Sequence, residues 1–208
     1  MVIIPTSRID HGNNAYIVKS IPIDSDLFTS NRNRLTKLLP RNSLALVNAN
    51  DVFPTNADGT MSVPNSDLFY LAGVAQEESI LLLAPDTFDE KNREILFLRE
   101  STQLLATWDG HKLTKEQART VSGIKNIQWL SEYPAVFHAL MCEAEQVFLN
   151  TNEHQRAVVE VETRDTRFIR QCQRRYPLHQ YRRLAPLLHQ LRTVKSATDL
   201  ALIKNACD

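Results

Sequence analysis

The strongest constraint on the fold is an unbroken apolar run, Ile80-Leu81-Leu82-Leu83-Ala84, which ends at Pro85. A short run without polar residues predicts a strand that is buried in a sheet. Two similar runs, 43–47 and 94–98, predict further strands, and short strands so close together favour antiparallel pairing. Between the runs 43–47 and 80–84, residues 48–64 are rich in Asn, Asp and Pro and predict a long loop. The aromatic segment 65–73 predicts a strand closed by a glycine turn.

Two segments have the spacing of amphipathic helices. In the first, 24–39, apolar side chains recur every three or four residues, while Arg32 falls off the apolar face. The second is predicted over Val161–Tyr176. Its apolar residues, of which Val161 is the first, lie on one face, and a row of arginines lies on another. A Ser-x-x-Asp capping box at Ser196 opens a last helix of about three turns. Because no capping residue finishes that helix, we expect a truncated chain.

From Thr114 onward, helices alternate with strands. Thr114 and Gln117 have the spacing of a capping box, which predicts the start of a helix. Predicted strands at 127–130 and 146–149 flank a predicted helix at 132–141. Since this alternation follows antiparallel strands, we predict an α/β fold in which helices cover a mixed sheet.

Charge is unevenly placed, although the 208 residues carry 24 basic and 24 acidic side chains. Residues 160–208 hold 10 basic against 5 acidic residues (+5), and residues 1–159 hold 14 against 19 (−5). Nine basic residues and one acid fall within 164–195. Such a run suits a phosphate backbone or an acidic neighbouring domain. Few aromatic residues are available there for stacking on bases, so we prefer a domain interface and expect no nucleic-acid partner.

The sequence shows no pattern of catalytic or metal-binding residues. Its six histidines and three cysteines lack the short spacing of zinc ligands, and there is no nucleophile elbow or phosphate loop. We therefore predict no catalytic residue and no metal ligand in this chain. Three widely spaced cysteines indicate reduced thiols. With no signal-peptide pattern and no apolar run of about 20 residues, we expect a cytoplasmic protein that does not enter a membrane.

One aromatic residue is a candidate for contact with a ligand or partner. Trp108 precedes the turn pair Asp109-Gly110, so we expect it at the surface. Exposed tryptophans are enriched at binding hot spots. The alternative is an indole folded back onto the sheet.

Four patches, in order, resemble the amino-terminal domain of Xaa-Pro aminopeptidases. They are the helix Asn31-Arg32-Asn33-Arg34-Leu35 before strand 43–47, the segment Asn65-Ser66-Asp67-Leu68-Phe69-Tyr70-Leu71-Ala72-Gly73, the turn Trp108-Asp109-Gly110, and the junction 188–196 with Leu202-Ile203. The resemblance implies a creatinase/aminopeptidase P-type, ribonuclease H-like α/β domain over residues 24–190, with a six-stranded mixed sheet flanked by helices. Residues 1–23 would form an N-terminal extension. Residues 191–208 would form a linker and the truncated first helix of a missing catalytic domain.

The same resemblance implies a non-catalytic role within a metallopeptidase that removes an N-terminal residue preceding proline. The metal ligands for two Mn²⁺ ions would lie downstream of Asp208, so this chain alone should be inactive. The domain would contact its own C-terminal catalytic domain and support a dimer or tetramer. Trp108 would form a wall for the peptide substrate of a neighbouring subunit. A prolidase- or creatinase-like parent and a stand-alone basic binding module are the alternatives that the sequence leaves open.

Overall fold

The structure, a computed structural model, describes residues 23–56, 58–100 and 112–207. The elements in chain order are α1 (Ser25–Thr36), β1 (Ser43–Asn48), β2 (Val52–Pro54), β3 (Thr60–Ser62), α2 (Ser66–Ala72), β4 (Ile80–Leu83), a 3₁₀ turn (Glu90–Asn92), β5 (Glu94–Leu98), α3 (Lys115–Ser122), β6 (Asn126–Trp129), α4 (Tyr133–Glu143), β7 (Gln146–Leu149), α5 (Arg164–Arg175), β8 (Gln180–Arg183), α6 (Ala185–Thr193) and α7 (Ala197–Cys207). None of the described helices is both long and apolar enough to cross a membrane.

Six strands form one mixed sheet in the order β6-β5-β4-β1-β7-β8. Strand β4 is antiparallel to both of its neighbours, β1 and β5. The pairs β1–β7, β5–β6 and β7–β8 are parallel, so five strands run in one direction and β4 alone opposes them. The predicted mixed α/β sheet is therefore confirmed. The sequence pattern missed its edge strand β8, because Gln180-Tyr181-Arg182-Arg183 is polar and mostly exposed.

Helices cover the sheet on both faces and give two apolar cores. Helices α1, α2, α3 and α6 pack on one face, where Leu35, Leu71, Ala118 and Leu188 belong to the same buried cluster. Helices α4 and α5 pack on the other face around Phe137 and Cys172. The apolar run of β4 contributes to both clusters because its side chains alternate between the two faces. Because both faces of β4 are buried, every position of the strand is apolar.

Residues 66–72 form helix α2, so the predicted aromatic strand at 65–73 was wrong. Asn65 caps the helix, because its side-chain oxygen accepts hydrogen bonds from the backbone N–H groups of Asp67 and Leu68, both at 3.0 Å. Gly73 ends it in the left-handed region at φ 67°. A Cβ at Gly73 would lie 2.4 Å from the Phe28 ring, so both conformation and space require glycine there. The cap residues at each end were the signal for a helix.

The predicted long loop at 48–64 was also incomplete. It contains the hairpin β2–β3, in which Phe53 pairs with Met61. The Asp58-Gly59 pair lies between the two strands, as expected for a hairpin turn. Its strands are exposed, so the segment lacks the apolar alternation that marks a half-buried strand.

Helix α5 begins at Arg164, not at Val161 as the apolar spacing predicted. Thr163 caps it, and its hydroxyl accepts a hydrogen bond from the backbone of Thr166 at 3.3 Å. Val161 lies outside the helix and is exposed. The remaining apolar face is confirmed, since Cys172 is buried and Phe168 packs against the same cluster.

Arg32 is fully buried, although the helical spacing placed it off the apolar face. Its guanidinium forms an ion pair with Glu94 at 3.1 Å and donates to the carbonyl oxygens of Leu71 at 2.7 Å and Ser122 at 2.9 Å. These carbonyls belong to the last turns of α2 and α3, where no helical donor is available to them. One buried arginine thus joins α1, two helix ends and β5.

Candidate functional site at the carboxyl edge of the sheet

Five parallel strands bring their following loops to one edge of the sheet, which we call the carboxyl edge. The loops after β1, β5 and β7 all begin there. In open α/β sheets this edge is the usual place for binding residues. The hairpin β2–β3 follows β1, and the segment with Trp108 follows β5. This edge is therefore the candidate functional site.

Trp108 lies within 101–111, outside the described residues, so its role as a contact residue stays a prediction. The structure does fix where that segment leaves and rejoins the domain. Arg99 forms an ion pair with Glu78 at 3.3 Å, and Lys112 forms one with Glu77 at 2.5 Å. The backbone N–H of Leu113 donates to the side chain of Gln76 at 2.8 Å. Both ends of the segment are thus attached to residues 76–78.

A network of polar side chains joins the loops beneath the carboxyl edge. Asn150, just after β7, donates to Asp67 at 2.9 Å, and Arg192 of α6 forms an ion pair with the same carboxylate at 2.6 Å. Asn65 donates to the side chain of Asn50 at 2.9 Å. These bonds tie the start of α2 to the loops after β1 and β7. This network was not predicted from the sequence, because its members are far apart along the chain.

Helix α5 is attached to the same edge by two carboxylates. Asp51 accepts a hydrogen bond from the backbone N–H of Arg164 at 2.6 Å and forms an ion pair with Arg167. Asp165 accepts a hydrogen bond from Asn48 at 2.9 Å. Charge-assisted contacts therefore fix α5 relative to residues 48–51, which lead into the hairpin.

Burial raises the pKa of Asp165 to about 6. The hydrogen bond from Asn48 and the charge of Arg164 act in the opposite direction, and the nearby carboxylates of Asp51 and Asp67 add to the rise. Such a carboxyl group is able to exchange a proton near neutral pH. Its hydrogen-bonding partner is a side-chain amide, however, and across residues 23–56, 58–100 and 112–207 no group of three or more His, Cys, Asp or Glu could hold a metal. The described geometry supports attachment of loops rather than catalysis.

An apolar rim surrounds this polar network. Phe53, Val63 and Val159 line a cavity of about 370 Å³ together with Asp67 and Asp165. Phe53 is 44% exposed and Val63 is 57% exposed. Grouped exposed apolar side chains with a polar surround are typical of interaction surfaces. The hairpin therefore extends the candidate site beyond Trp108, and sequence reasoning missed it.

Four of the eight arginines in the basic run 164–195 form ion pairs within the domain. Arg167 pairs with Asp51, Arg170 with Glu162, Arg183 with Glu153 and Arg192 with Asp67. Three of these four carboxylates lie before residue 159, in the part of the chain with excess negative charge. Contacts inside this domain thus balance part of the charge asymmetry of the sequence.

The fold defined by this sheet and its helices is that of aminopeptidase P structures. A structure from Bacillus anthracis that is described as an aminopeptidase P superposes with a TM-score of 0.77. Its sequence identity is 24%, and the match covers 88% of this chain and 43% of that one. Aminopeptidase PepP from Pseudomonas aeruginosa gives a TM-score of 0.70 at 22% identity, over 88% and 41%. These likenesses establish the α/β fold of this domain.

A family model described as the N-terminal domain of aminopeptidase P matches residues 28–148. The chain belongs to this family, which confirms the resemblance found in the sequence. Intermediate cleaving peptidase 55, mitochondrial, from Arabidopsis thaliana is 24% identical over 180 residues, which are 86% of this chain and 34% of that protein. The chain spans about a third of this relative and about two-fifths of the two structures.

Proposed function

We propose that this chain is the non-catalytic amino-terminal domain of an Xaa-Pro aminopeptidase. The observation that carries the proposal is the family match over 28–148, together with a sheet that superposes on aminopeptidase P structures. Residues 24–190 would form the domain, and 191–208 would lead into a separate catalytic domain. Helix α7 supports this division, because none of its residues is buried and Leu200 and Ile203 remain exposed for a further packing partner.

Catalysis would belong to the other domain of the parent protein. Two Mn²⁺ ions would supply an activated hydroxide there for attack on the peptide carbonyl that precedes proline. The described residues of this chain do not fit such a centre, because they offer no group of three metal-binding side chains. This chain would instead serve assembly and substrate positioning.

Substrate positioning would depend on the carboxyl edge. The segment with Trp108 starts and ends there, held by Glu77 and Glu78. The apolar rim at Phe53 and Val63 would contact a second subunit or the catalytic domain, since burying it removes apolar surface from water. In a dimer or tetramer, Trp108 would then form part of the peptide site of a neighbouring subunit.

The test is a pair of substitutions in the full-length parent. We expect Trp108→Ala to lower kcat/KM for a peptide with proline in second position at least tenfold, with unchanged metal content. Phe88→Ala is the matched control, because Phe88 is 96% exposed and follows β4, which ends at the opposite edge. That variant should keep the parent's kcat/KM within twofold. Equal kcat/KM values for the two variants would show that Trp108 does not contribute to substrate positioning.

A second candidate comes from the Arabidopsis relative, whose name describes cleavage of intermediates in mitochondria. A parent of that kind would act on partly processed proteins rather than on short peptides, and would not be cytoplasmic. Fractionation of cells that express the tagged parent, combined with assays on proline-containing peptides and on protein substrates, separates the two candidates. A prolidase-like parent would instead prefer dipeptides, and a creatinase-like parent would act on creatine.

A further inference from the structure

A second cavity lies on the other face of the sheet, between α4 and α5. Its volume is about 390 Å³, within the range of small-molecule pockets. Aromatic side chains form its walls, namely Tyr133, Phe137, Phe168 and Tyr176. The rings of Tyr133 and Phe137 stack with centroids 5.2 Å apart, and Phe168 lies 5.6 Å from Phe137. Such walls suit a flat apolar body.

One polar group in this cavity lacks a partner. The hydroxyl of Tyr133 is buried and forms no hydrogen bond with any described residue. Its ring lies against Phe97 and Phe137, which supply no acceptor. Phenylalanine would fill the same volume without leaving a buried hydroxyl unpaired. An acceptor atom of a bound molecule would satisfy this hydroxyl if it entered past the side chains that now bury it.

The described charged residues that line the cavity are all basic. Arg164, Arg167 and Arg175 line it, and no Asp or Glu is among its described lining residues. Arg164 donates to backbone carbonyls, and Arg167 pairs with Asp51. Within the described parts of the chain, Arg175 pairs with no carboxylate, and its guanidinium lies 5.5 Å from the Tyr176 ring centroid. Arg175 is thus available to an anionic group at the mouth of the cavity.

We propose that the cavity between α4 and α5 binds a small amphipathic anion, with an aromatic body against Phe137 and Phe168 and a carboxylate or sulfonate at Arg175. The site shares Arg164 with the carboxyl-edge cavity, but its aromatic walls and Arg175 do not line that cavity, and the proposal does not depend on the proposed function. It also gives a role to basic side chains of α5 that form no ion pair with the described residues.

The experiment is a fluorescence titration of the purified protein with 8-anilinonaphthalene-1-sulfonate. We expect saturable binding that Arg175→Gln weakens at least fivefold and that Tyr133→Phe weakens severalfold. Arg174→Gln is the matched control, because it removes the same charge from the neighbouring exposed position, which does not line the cavity. That variant should bind within twofold of the unchanged protein.

Two further comparisons locate the site and identify its charge preference. 1-Naphthoate should displace the dye, and 1-naphthylmethylamine, with a similar ring and the opposite charge, should not. Phe53→Ser removes an apolar residue of the hairpin and should leave dye binding unchanged. Equal affinity of Arg175→Gln and Arg174→Gln, equal displacement by the two naphthalene compounds, or loss of binding in Phe53→Ser would each overturn the proposal.

Discussion

The two cavities of this domain meet at Arg164 but differ in their carboxylates. In the carboxyl-edge cavity, Asp51, Asp67 and Asp165 each accept a hydrogen bond from another element. In the cavity between α4 and α5, no acid lines the described walls and the hydroxyl of Tyr133 has no described partner. Polar groups bonded to one another hold a fold together, whereas an unpaired group costs stability and is available to a ligand. The carboxylates of the first cavity thus join elements of the fold, whereas Arg175 of the second cavity pairs with no carboxylate among the described residues.

The largest effect is expected at Asp67. Replacing it with alanine leaves the Asn150 amide and the Arg192 guanidinium without their shared acceptor, so we expect the free energy of unfolding to fall by about 2–3 kcal/mol. Urea denaturation measures this change. Asp26→Ala is the matched control, since Asp26 is an exposed acid in the first turn of α1, and its loss should cost about 0.5 kcal/mol. Equal losses in the two variants would show that the network contributes nothing.

An effect of similar size, with a defined pH dependence, is expected at Asp165. Its folded pKa of about 6 lies above the ordinary value of 3.8, so the folded state binds more protons than the unfolded state between these values. The free energy of unfolding should therefore decrease as pH rises from about 4 to 7, by about 3 kcal/mol in total, and should not decrease further from this cause above about pH 7. Asp165→Asn removes this decrease and keeps an acceptor for Asn48.

The measurement is urea denaturation of both proteins between pH 3.5 and 8. The variant should equal the unchanged protein at the acid end and be the more stable one at pH 7.5. Asp26→Asn makes the same charge change at an exposed position and should lack this pH-dependent gain. A variant that is less stable than the unchanged protein at every pH would mean that the carboxylate of Asp165 is favoured by its surroundings.

The smallest effect is expected at Tyr133 and has the opposite sign to the loss at Asp67. Because the hydroxyl is buried without a partner, Tyr133→Phe should raise the free energy of unfolding by up to about 1 kcal/mol. Tyr181→Phe is the matched control: its hydroxyl donates to the carbonyl of Tyr176 at 2.9 Å, and its loss should cost about 1 kcal/mol. Thermal unfolding of both variants checks the signs. Destabilisation of Tyr133→Phe would mean that the hydroxyl has a partner in solution.

The sequence predicted those parts of the fold that depend on local pattern. The apolar runs at 43–47, 80–84 and 94–98 became strands β1, β4 and β5, and the capping box at Thr114 forms with both of its hydrogen bonds. These features are visible in sequence because period and cap chemistry act over a few residues. Their antiparallel pairing with β4 was confirmed as well.

Features that depend on distant residues were not predicted. Arg32 is buried because helix ends 39 and 90 residues away supply acceptors, which helical spacing does not reveal. Strand β8 is polar and was missed because its pairing with β7, rather than its own pattern, makes it a strand. The carboxyl-edge network has the same character, since Asp67 meets Asn150 and Arg192 only after folding. For Trp108 the sequence provides the only information, because it lies outside the described residues.

The most direct test of the proposed function is the peptidase activity of this chain alone. The purified 208-residue chain and the full-length parent would be assayed with Mn²⁺ on a peptide that has proline in second position, with circular dichroism to verify that the chain is folded. We expect a folded chain that does not hydrolyse the peptide, and a full-length parent that does. Hydrolysis by the folded chain alone, abolished by a chelator, would contradict it.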